Sequence, residues 1–247
     1  MANPALTRSF KTAVANEQYR SDNTVAEPKM TLEGVINKVF IMFAVVIASA
    51  TVVWLNIETL ASSGLFYPAM FISMLGALGL GIWASVSKAV HKGAMIGYAA
   101  LEGVFIGIFS GLLNTMYPGV VIQAVVATFA TVGVIFSAWK FGWIKVTDRY
   151  MKFMMFALVG YLFFGLINFG IAMFTGSSVY NTGLGWVVAL IGCGLAAMSL
   201  AADFQMINKG IEIGLPAENE WRGAYGLTVT IIWLYVEILR LLSIFNR

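Results

Sequence analysis

Three carboxylic acids lie inside apolar stretches that are long enough to cross a bilayer, and these acids are the side chains best able to do chemistry. They are Glu102, Asp203 and Glu237, and Arg240 follows the last acid by three positions. Ionisable groups are costly within a membrane, so they mark ion pathways, proton relays or charge pairs there. Carboxylate oxygens also suit hard cations such as Ca²⁺. The three acids are therefore the candidate functional residues.

Asp203 and Glu237 are predicted to act as a pair. Two carboxylates in one dry site cannot both ionise cheaply, so the pair is expected to retain a proton near neutrality. A proton or a Ca²⁺ ion can bridge the two acids, and its loss changes the repulsion between their helices. The pair is thus a candidate pH sensor and a candidate Ca²⁺ site.

Plainer interpretations of the same residues stay open. Glu237 and Arg240 are three positions apart on one helix face and can neutralise each other as a local ion pair. Depth also opposes a shared site, because Asp203 is predicted roughly 9 Å from the inner end of its helix and Glu237 roughly 18 Å into the last one. Glu102 is either a third carboxylate of the pathway or a protonated acid that is hydrogen-bonded between packed helices.

The elements that hold these residues are predicted to be membrane helices. The 247 residues are 60% hydrophobic and only 11% charged, which is typical of polytopic membrane proteins. About 20 apolar residues cross a bilayer, and seven such runs occur. They cover roughly residues 36–56, 67–87, 94–115, 119–139, 152–174, 184–206 and 225–245. The sequence therefore predicts an all-α, seven-helix bundle over residues 36–247, preceded by a polar tail over residues 1–35 that has a candidate helix cap at Thr31.

Two of the runs carry stripes of small residues, on which another helix can approach closely. The stripes are Gly103, Gly107 and Gly111 in the third run, and Gly192, Ala196, Ser199 and Asp203 in the sixth. Asp203 is therefore predicted to face a neighbouring helix and not lipid. Asn168, in the fifth run, is predicted to hydrogen-bond between helices.

The basic residues predict the orientation of the chain, since inner connections of membrane proteins are rich in Lys and Arg. Assigning the tail and every second connection to one side collects all but two of the 15 Lys and Arg residues there. The exceptions are Arg240 and Arg247. The amino terminus is thus predicted to be cytoplasmic and the carboxyl terminus outside, with a re-entrant last run as the alternative.

Common enzyme chemistries are not predicted. The chain has one histidine, His91, and one cysteine, Cys193, which are too few for a soft-metal cluster or for a membrane protease with a histidine base. Neither a dinucleotide-binding glycine motif nor a P-loop occurs. The net charge of +3 reflects orientation and not nucleic-acid binding. We expect no enzyme activity, no nucleic-acid partner and no tightly bound cofactor.

Four features in their order along the chain resemble the Bax inhibitor family of seven-span membrane proteins, most of all its bacterial branch. They are the run GYAALEG from Gly97 to Gly103, the turn Tyr117-Pro118-Gly119, Asp203 in the sixth run, and LYVEILRLL from Leu234 to Leu242. The resemblance covers residues 36–247 and implies a bundle around a central seventh helix.

The resemblance also implies a function, namely a pH-sensitive leak of cations and especially of Ca²⁺. Similar members carry a pair of aspartates as the pH sensor, and Asp203 and Glu237 match their positions, the second acid being one methylene longer. Those members also place a basic partner for the first acid after the second span, where this chain has His91 and Lys92.

We therefore expect a pH-regulated Ca²⁺ or cation leak channel in the bacterial cytoplasmic membrane. Its partners would be the lipid bilayer, protons and Ca²⁺ as the transported ion. The alternative is an interaction protein that regulates a membrane protease or a stress or cell-death pathway, with the polar tail as its handle.

Overall fold

The computed structural model describes residues 28–246, and these residues are almost entirely helical. Residues 1–27 of the predicted tail and Arg247 lie outside the described residues. The helices are α1 (Leu32–Leu55), α2 (Ile57–Ser62), α3 (Phe66–Val86), α4 (Lys92–Met116), α5 (Val120–Lys140), α6 (Asp148–Thr175), α7 (Gly185–Glu212) and α8 (Asn219–Phe245). A single turn of 3-10 helix, Val179–Asn181, lies between α6 and α7.

All seven predicted runs are helices that are long and apolar enough to cross a membrane. The short α2 and the 3-10 turn are additional among residues 28–246. The protein is thus an all-α polytopic membrane protein. The bounds differ most between the last two spans, where α7 continues to Glu212 and α8 begins at Asn219. Polar residues prolong both helices there, because backbone pairing within a helix does not end where the apolar run ends. The uninterrupted α8, with 27 residues, favours a full span over a re-entrant ending.

The beginning of α1 is fixed to the connection between α7 and α8. Thr31 caps α1 by accepting a hydrogen bond from the Gly34 amide at 3.0 Å, as predicted. Immediately before it, the Met30 amide donates to the Leu215 carbonyl at 2.7 Å. Glu220 then pairs with Lys38 and accepts from the Thr31 amide at 2.9 Å. The proposed boundary at residue 35 therefore falls within α1.

The glycine stripe of α4 packs directly on α1, as the sequence predicts. Gly107 is buried, and a methyl group in its place would lie 2.9 Å from the Ala50 carbonyl oxygen and 3.0 Å from Cβ of Val53. A methyl group at Gly103 would lie 3.0 Å from Cα of Val46. Only glycine permits so close an approach of the two backbones.

Replacing Gly107 by Leu should therefore destabilise the protein strongly. The new side chain meets backbone, which cannot rotate away, so we expect a loss at the upper end of the overpacking range, about 3 kcal/mol. Thermal unfolding of the purified protein in detergent measures it. The matched control is Ile106→Leu, which conserves volume at the neighbouring half-buried position and should be nearly neutral. Equal stability of the two variants would contradict the close packing of α1 and α4.

The last two helices are the most buried of the seven spans. In the most apolar window of α8, 61% of the residues are buried, and in that of α7 56%, against 11% for α1. This burial agrees with the inner position that the family resemblance implies for the last helix. The acids on α7 and α8 are thus shielded by protein and not by lipid.

The chain comprises two compact units. One contains Met116–Phe204 and the described residues from Thr230 onward, and the other contains Gln205–Val229 together with the described residues up to Thr115. Both α7 and α8 contribute residues to each unit. Asp203, Glu237 and Arg240 all belong to the first unit, whereas Glu102, His91 and Lys92 belong to the second.

Candidate functional site

Asp203 is fully buried and faces α8, which confirms that it lies against a helix and not against lipid. Its side-chain oxygen Oδ2 accepts a hydrogen bond from the Thr230 hydroxyl at 2.5 Å. The other oxygen, Oδ1, has no hydrogen-bond partner among residues 28–246, and neither has the buried hydroxyl of Ser199 one turn earlier. Because buried polar atoms normally have partners, this pair of atoms is the first sign of a functional site.

Glu237 forms the local ion pair that the sequence left open as an alternative. Both of its carboxylate oxygens lie 3.0 Å from the Nη1 atom of Arg240, and the indole of Trp233 donates to Oε1 at 3.2 Å. Glu237 is only 2% exposed. The charge of this acid is therefore compensated within α8 itself.

The Arg240 guanidinium has a second neighbour, Tyr180, in the connection between α6 and α7. The guanidinium carbon lies 4.4 Å from the centre of the Tyr180 ring, and Nη1 donates to the Tyr180 hydroxyl at 3.1 Å. That hydroxyl also lies 3.3 Å from the hydroxyl of Tyr161 on α6. The ion pair is thus covered by two tyrosines.

Glu237 needs a glycine opposite it on α7. A methyl group at Gly192 would lie 2.6 Å from Oε2 of Glu237. The small-residue stripe of α7 therefore packs on α8 at two positions. Gly192 lies next to Glu237, and Asp203 lies next to Thr230. The other two members of the stripe, Ala196 and Ser199, are buried between these positions.

Glu237 and the partner of Asp203, Thr230, lie along one face of α8, but the two acids do not bond to each other. Thr230, which binds Asp203, precedes Glu237 by seven residues, which is two helical turns or about 10 Å along the axis. Since Asp203 Oδ1 has no partner in the described part of the chain, no hydrogen bond links the two carboxyls there. The two acids therefore lie at different depths, as the sequence indicated. The geometry favours two carboxyls that bind protons separately over two carboxyls that share one proton.

The remaining predicted residues lie in the second unit. Glu102 is half-buried on α4 and interacts with Tyr98 one turn earlier, whose ring meets Tyr225 edge to face at 5.1 Å. His91 stacks on Trp83 with ring centres 4.9 Å apart, and Lys92 is exposed at the first position of α4. Their proposed role as partners of a carboxylate stays a prediction.

Comparison with known proteins identifies the family of this chain. The family model described as Bax inhibitor 1 like matches residues 3–247. The chain belongs to this family. An uncharacterized protein of Deinococcus radiodurans is 30% identical over 179 residues, which cover 70% of this chain and 72% of that protein. The membership and the seven apolar helices together make this an integral membrane protein.

A resident Ca²⁺ ion fits this Bax inhibitor-like chain poorly. Ca²⁺ takes six to eight oxygen ligands, whereas no three His, Cys, Asp or Glu residues in the part of the chain that the structure describes are grouped so that they could hold a metal ion. At the predicted position, Glu237 is already engaged by Arg240.

In this Bax inhibitor-like protein, the sequence did not identify Thr230 and Tyr180 as residues of the site, and it predicted the wrong partner for Asn168. Thr230 gives no local signal, because its contact with Asp203 joins two helices. Tyr180 lies just before the predicted run 184–206, and a tyrosine at a span end is usually an interfacial anchor. Asn168 was expected to bond between helices, but it bonds to the connection that carries Tyr180. The sequence signal for a role of Asn168 was that it is an amide in an otherwise apolar helix.

Proposed function

We propose that this Bax inhibitor-like protein is a pH-regulated leak for cations, with Ca²⁺ among its substrates and Asp203 as its principal proton-responsive group. The proposal is carried by one observation: a carboxyl with no exposed surface has one oxygen without a hydrogen-bond partner among the described residues. An ionised acid in that position is costly unless a cation or a rearranged neighbour compensates it.

The surroundings of Asp203 support a link between its protonation and the packing of its helix. The Thr230 hydroxyl on α8 donates to one oxygen of Asp203. Tyr150 on α6 interacts electrostatically with the acid. The hydroxyl of Tyr150 donates to the Met198 carbonyl at 2.6 Å. Neither group is a cation. Loss of the proton therefore places an uncompensated charge between α7 and α8, which favours a second arrangement of these helices.

The Glu237 ion pair supplies the second carboxylate of the proposed pathway. The groups that face it are Arg240 on its own helix, Tyr161 on α6, Tyr180 in the following connection and the thiol of Cys193 on α7. Arg240 already compensates its charge, so this site responds to a competing cation more than to a proton. Asp203 thus responds to protons, whereas Glu237 responds to competing cations.

The test is ion flux through the purified protein in liposomes. We expect Ca²⁺ release that exceeds the release from protein-free liposomes and changes severalfold across the range from acidic to neutral pH. Release at the protein-free level at every pH would overturn the proposal. A flux that is present but indifferent to pH would remove Asp203 from the mechanism and leave only a constitutive leak.

A second candidate function is regulation through a protein partner, and one observation favours it. The segment just after the undescribed tail is bonded to the connection that precedes α8, through Met30 with Leu215 and Glu220 with Thr31. A partner that pulls on the tail would therefore act on the start of α8. Deleting residues 1–27 separates the two functions, since a leak should survive the deletion in liposomes whereas a docking function should be lost in cells.

A further inference from the structure

The Glu237 carboxylate is held by a cation that belongs to the protein. Arg240 contacts both carboxylate oxygens at 3.0 Å, and its guanidinium lies over the Tyr180 ring. A cation above an aromatic face is attracted by the ring, and more strongly when water is excluded. Arg240 thus has two partners, a carboxylate on α8 and a tyrosine on the α6–α7 connection.

The position of Tyr180 is set by a buried amide. Asn168 on α6 is 8% exposed, and its Oδ1 atom accepts from the Val179 amide at 2.9 Å. Its Nδ2 atom donates to the Ser178 hydroxyl at 3.1 Å, and that hydroxyl lies 3.2 Å from Oδ1. All these bonds go to the two residues immediately before Tyr180.

Burial of the Asn168 amide costs free energy, which indicates that its hydrogen bonds to the α6–α7 connection are important. An amide in an apolar membrane helix is unfavourable unless its hydrogen bonds are satisfied. Here they are satisfied by the connection and not by another helix. Ser178 also accepts from the Tyr180 amide at 3.3 Å, which begins the 3-10 turn. The amide therefore fixes the direction in which the Tyr180 ring leaves the backbone.

We propose that Tyr180, positioned by Asn168, keeps Arg240 on Glu237 and thereby occludes this end of the cation path. A cation that reaches Glu237 must displace the guanidinium, because both compete for the same two oxygens. Tyr180 and Asn168 are positioning residues that set the threshold for this displacement. The role in cation passage rests on the leak proposed above, whereas the occlusion itself does not.

The only cysteine of the chain reports on the occlusion without any flux measurement. Cys193 follows Gly192, the residue that packs on Glu237. The Cys193 thiol interacts electrostatically with Glu237 and Arg240. The rate at which a water-soluble thiol reagent modifies Cys193 in the purified protein therefore measures how often water reaches this position.

The labelling experiment compares substitutions of the two positioning residues. Tyr180→Ala should raise the Cys193 labelling rate about tenfold, because the ring contact and the hydrogen bond to Arg240 are lost together. Asn168→Ala should raise the rate about as much, because it removes the bonds that position Tyr180. Tyr180→Phe keeps the ring, folds with little perturbation, and should raise the rate only about threefold. The control is Tyr117→Ala, at a half-buried tyrosine in the α4–α5 connection, which should leave the rate unchanged.

Chemical rescue separates positioning from general loosening of the fold. In Arg240→Ala, added guanidinium at millimolar concentration should slow Cys193 labelling toward the wild-type rate, since it can occupy the place between Glu237 and Tyr180. In the double variant Arg240→Ala/Tyr180→Ala the same addition should have little effect. Tetramethylammonium at equal ionic strength is the control ion, because it cannot donate hydrogen bonds to the carboxylate.

The outcomes for the occlusion and for the leak are distinct. Unchanged labelling in both Tyr180→Ala and Tyr180→Phe, or equal rescue with and without Tyr180, would overturn the occlusion even if wild-type flux depends on pH. Raised labelling with specific rescue supports the occlusion, and in that case an absence of wild-type flux counts against the leak alone. If both hold, Tyr180→Ala should also raise Ca²⁺ flux severalfold.

Discussion

Replacing Glu237 by Gln should be among the most destabilising single substitutions in this protein. The change leaves Arg240 without its counter-charge, and removing one partner of a buried ion pair costs about 3–5 kcal/mol. The Arg240 side chain keeps 28% of its surface exposed while that of Glu237 keeps 3%, so we expect the lower end of this range. Thermal or denaturant unfolding of the purified protein in detergent measures the effect.

The second substitution that tests this pair is Arg240→Gln. Alone, it should also destabilise, because Glu237 keeps only the Trp233 indole as a strong donor. Combined with Glu237→Gln it should restore most of the lost stability, since two neutral amides in place of the ions leave no buried charge. Additive losses in the double variant would show that the two side chains are not coupled, and the ion-pair interpretation would then be wrong.

Replacing Asp203 by Asn should abolish the pH dependence of flux. The amide resembles the neutral carboxyl in shape and cannot ionise, so flux should stay at the level that the wild type reaches at acidic pH. The ratio of flux at acidic pH to flux at neutral pH should therefore fall to about one. The matched control is Thr230→Val, which removes the hydroxyl but keeps the acid and should displace the midpoint of the response without removing it. A full pH response in Asp203→Asn would eliminate Asp203 as the sensor.

A cycle of acid variants decides whether Asp203 and Glu237 share one proton. The shared-proton hypothesis, which stays untested, requires Asp203→Asn and Glu237→Gln to flatten the same pH dependence and the double variant to resemble either single one. The structure favours independent effects, because Thr230, which binds Asp203, is two turns away from Glu237 along α8 and Arg240 is bonded to Glu237. We therefore expect the flux effects of the two acids to add.

Much of the fold follows from the sequence because a bilayer imposes a simple rule. Every backbone polar group in the apolar layer must bond within its own helix, so long apolar runs become helices wherever they occur. That rule locates all seven spans. It places the end of α7 too early and the beginning of α8 too late, because polar residues prolong both helices beyond their apolar runs. The glycine stripe of α4 was equally readable, since glycines four apart leave one helix face flat.

The sequence also identified the acids, but it did not determine what each acid contacts. Glu237 and Arg240 could be recognised as a candidate ion pair because three residues separate neighbours on one helix face. Whether that pair or an interhelical pair with Asp203 forms depends on the register of α7 against α8, which no local pattern encodes.

Only the tertiary structure could decide that register. It places Thr230, and not Glu237, beside Asp203, and it brings Tyr180 from a connection onto Arg240. Such contacts join residues that are far apart in sequence, and they depend on the sum of many small packing contributions between helices, each individually weak. A sequence lists the polar groups that a membrane protein must satisfy, whereas the packing of its helices determines which groups satisfy one another.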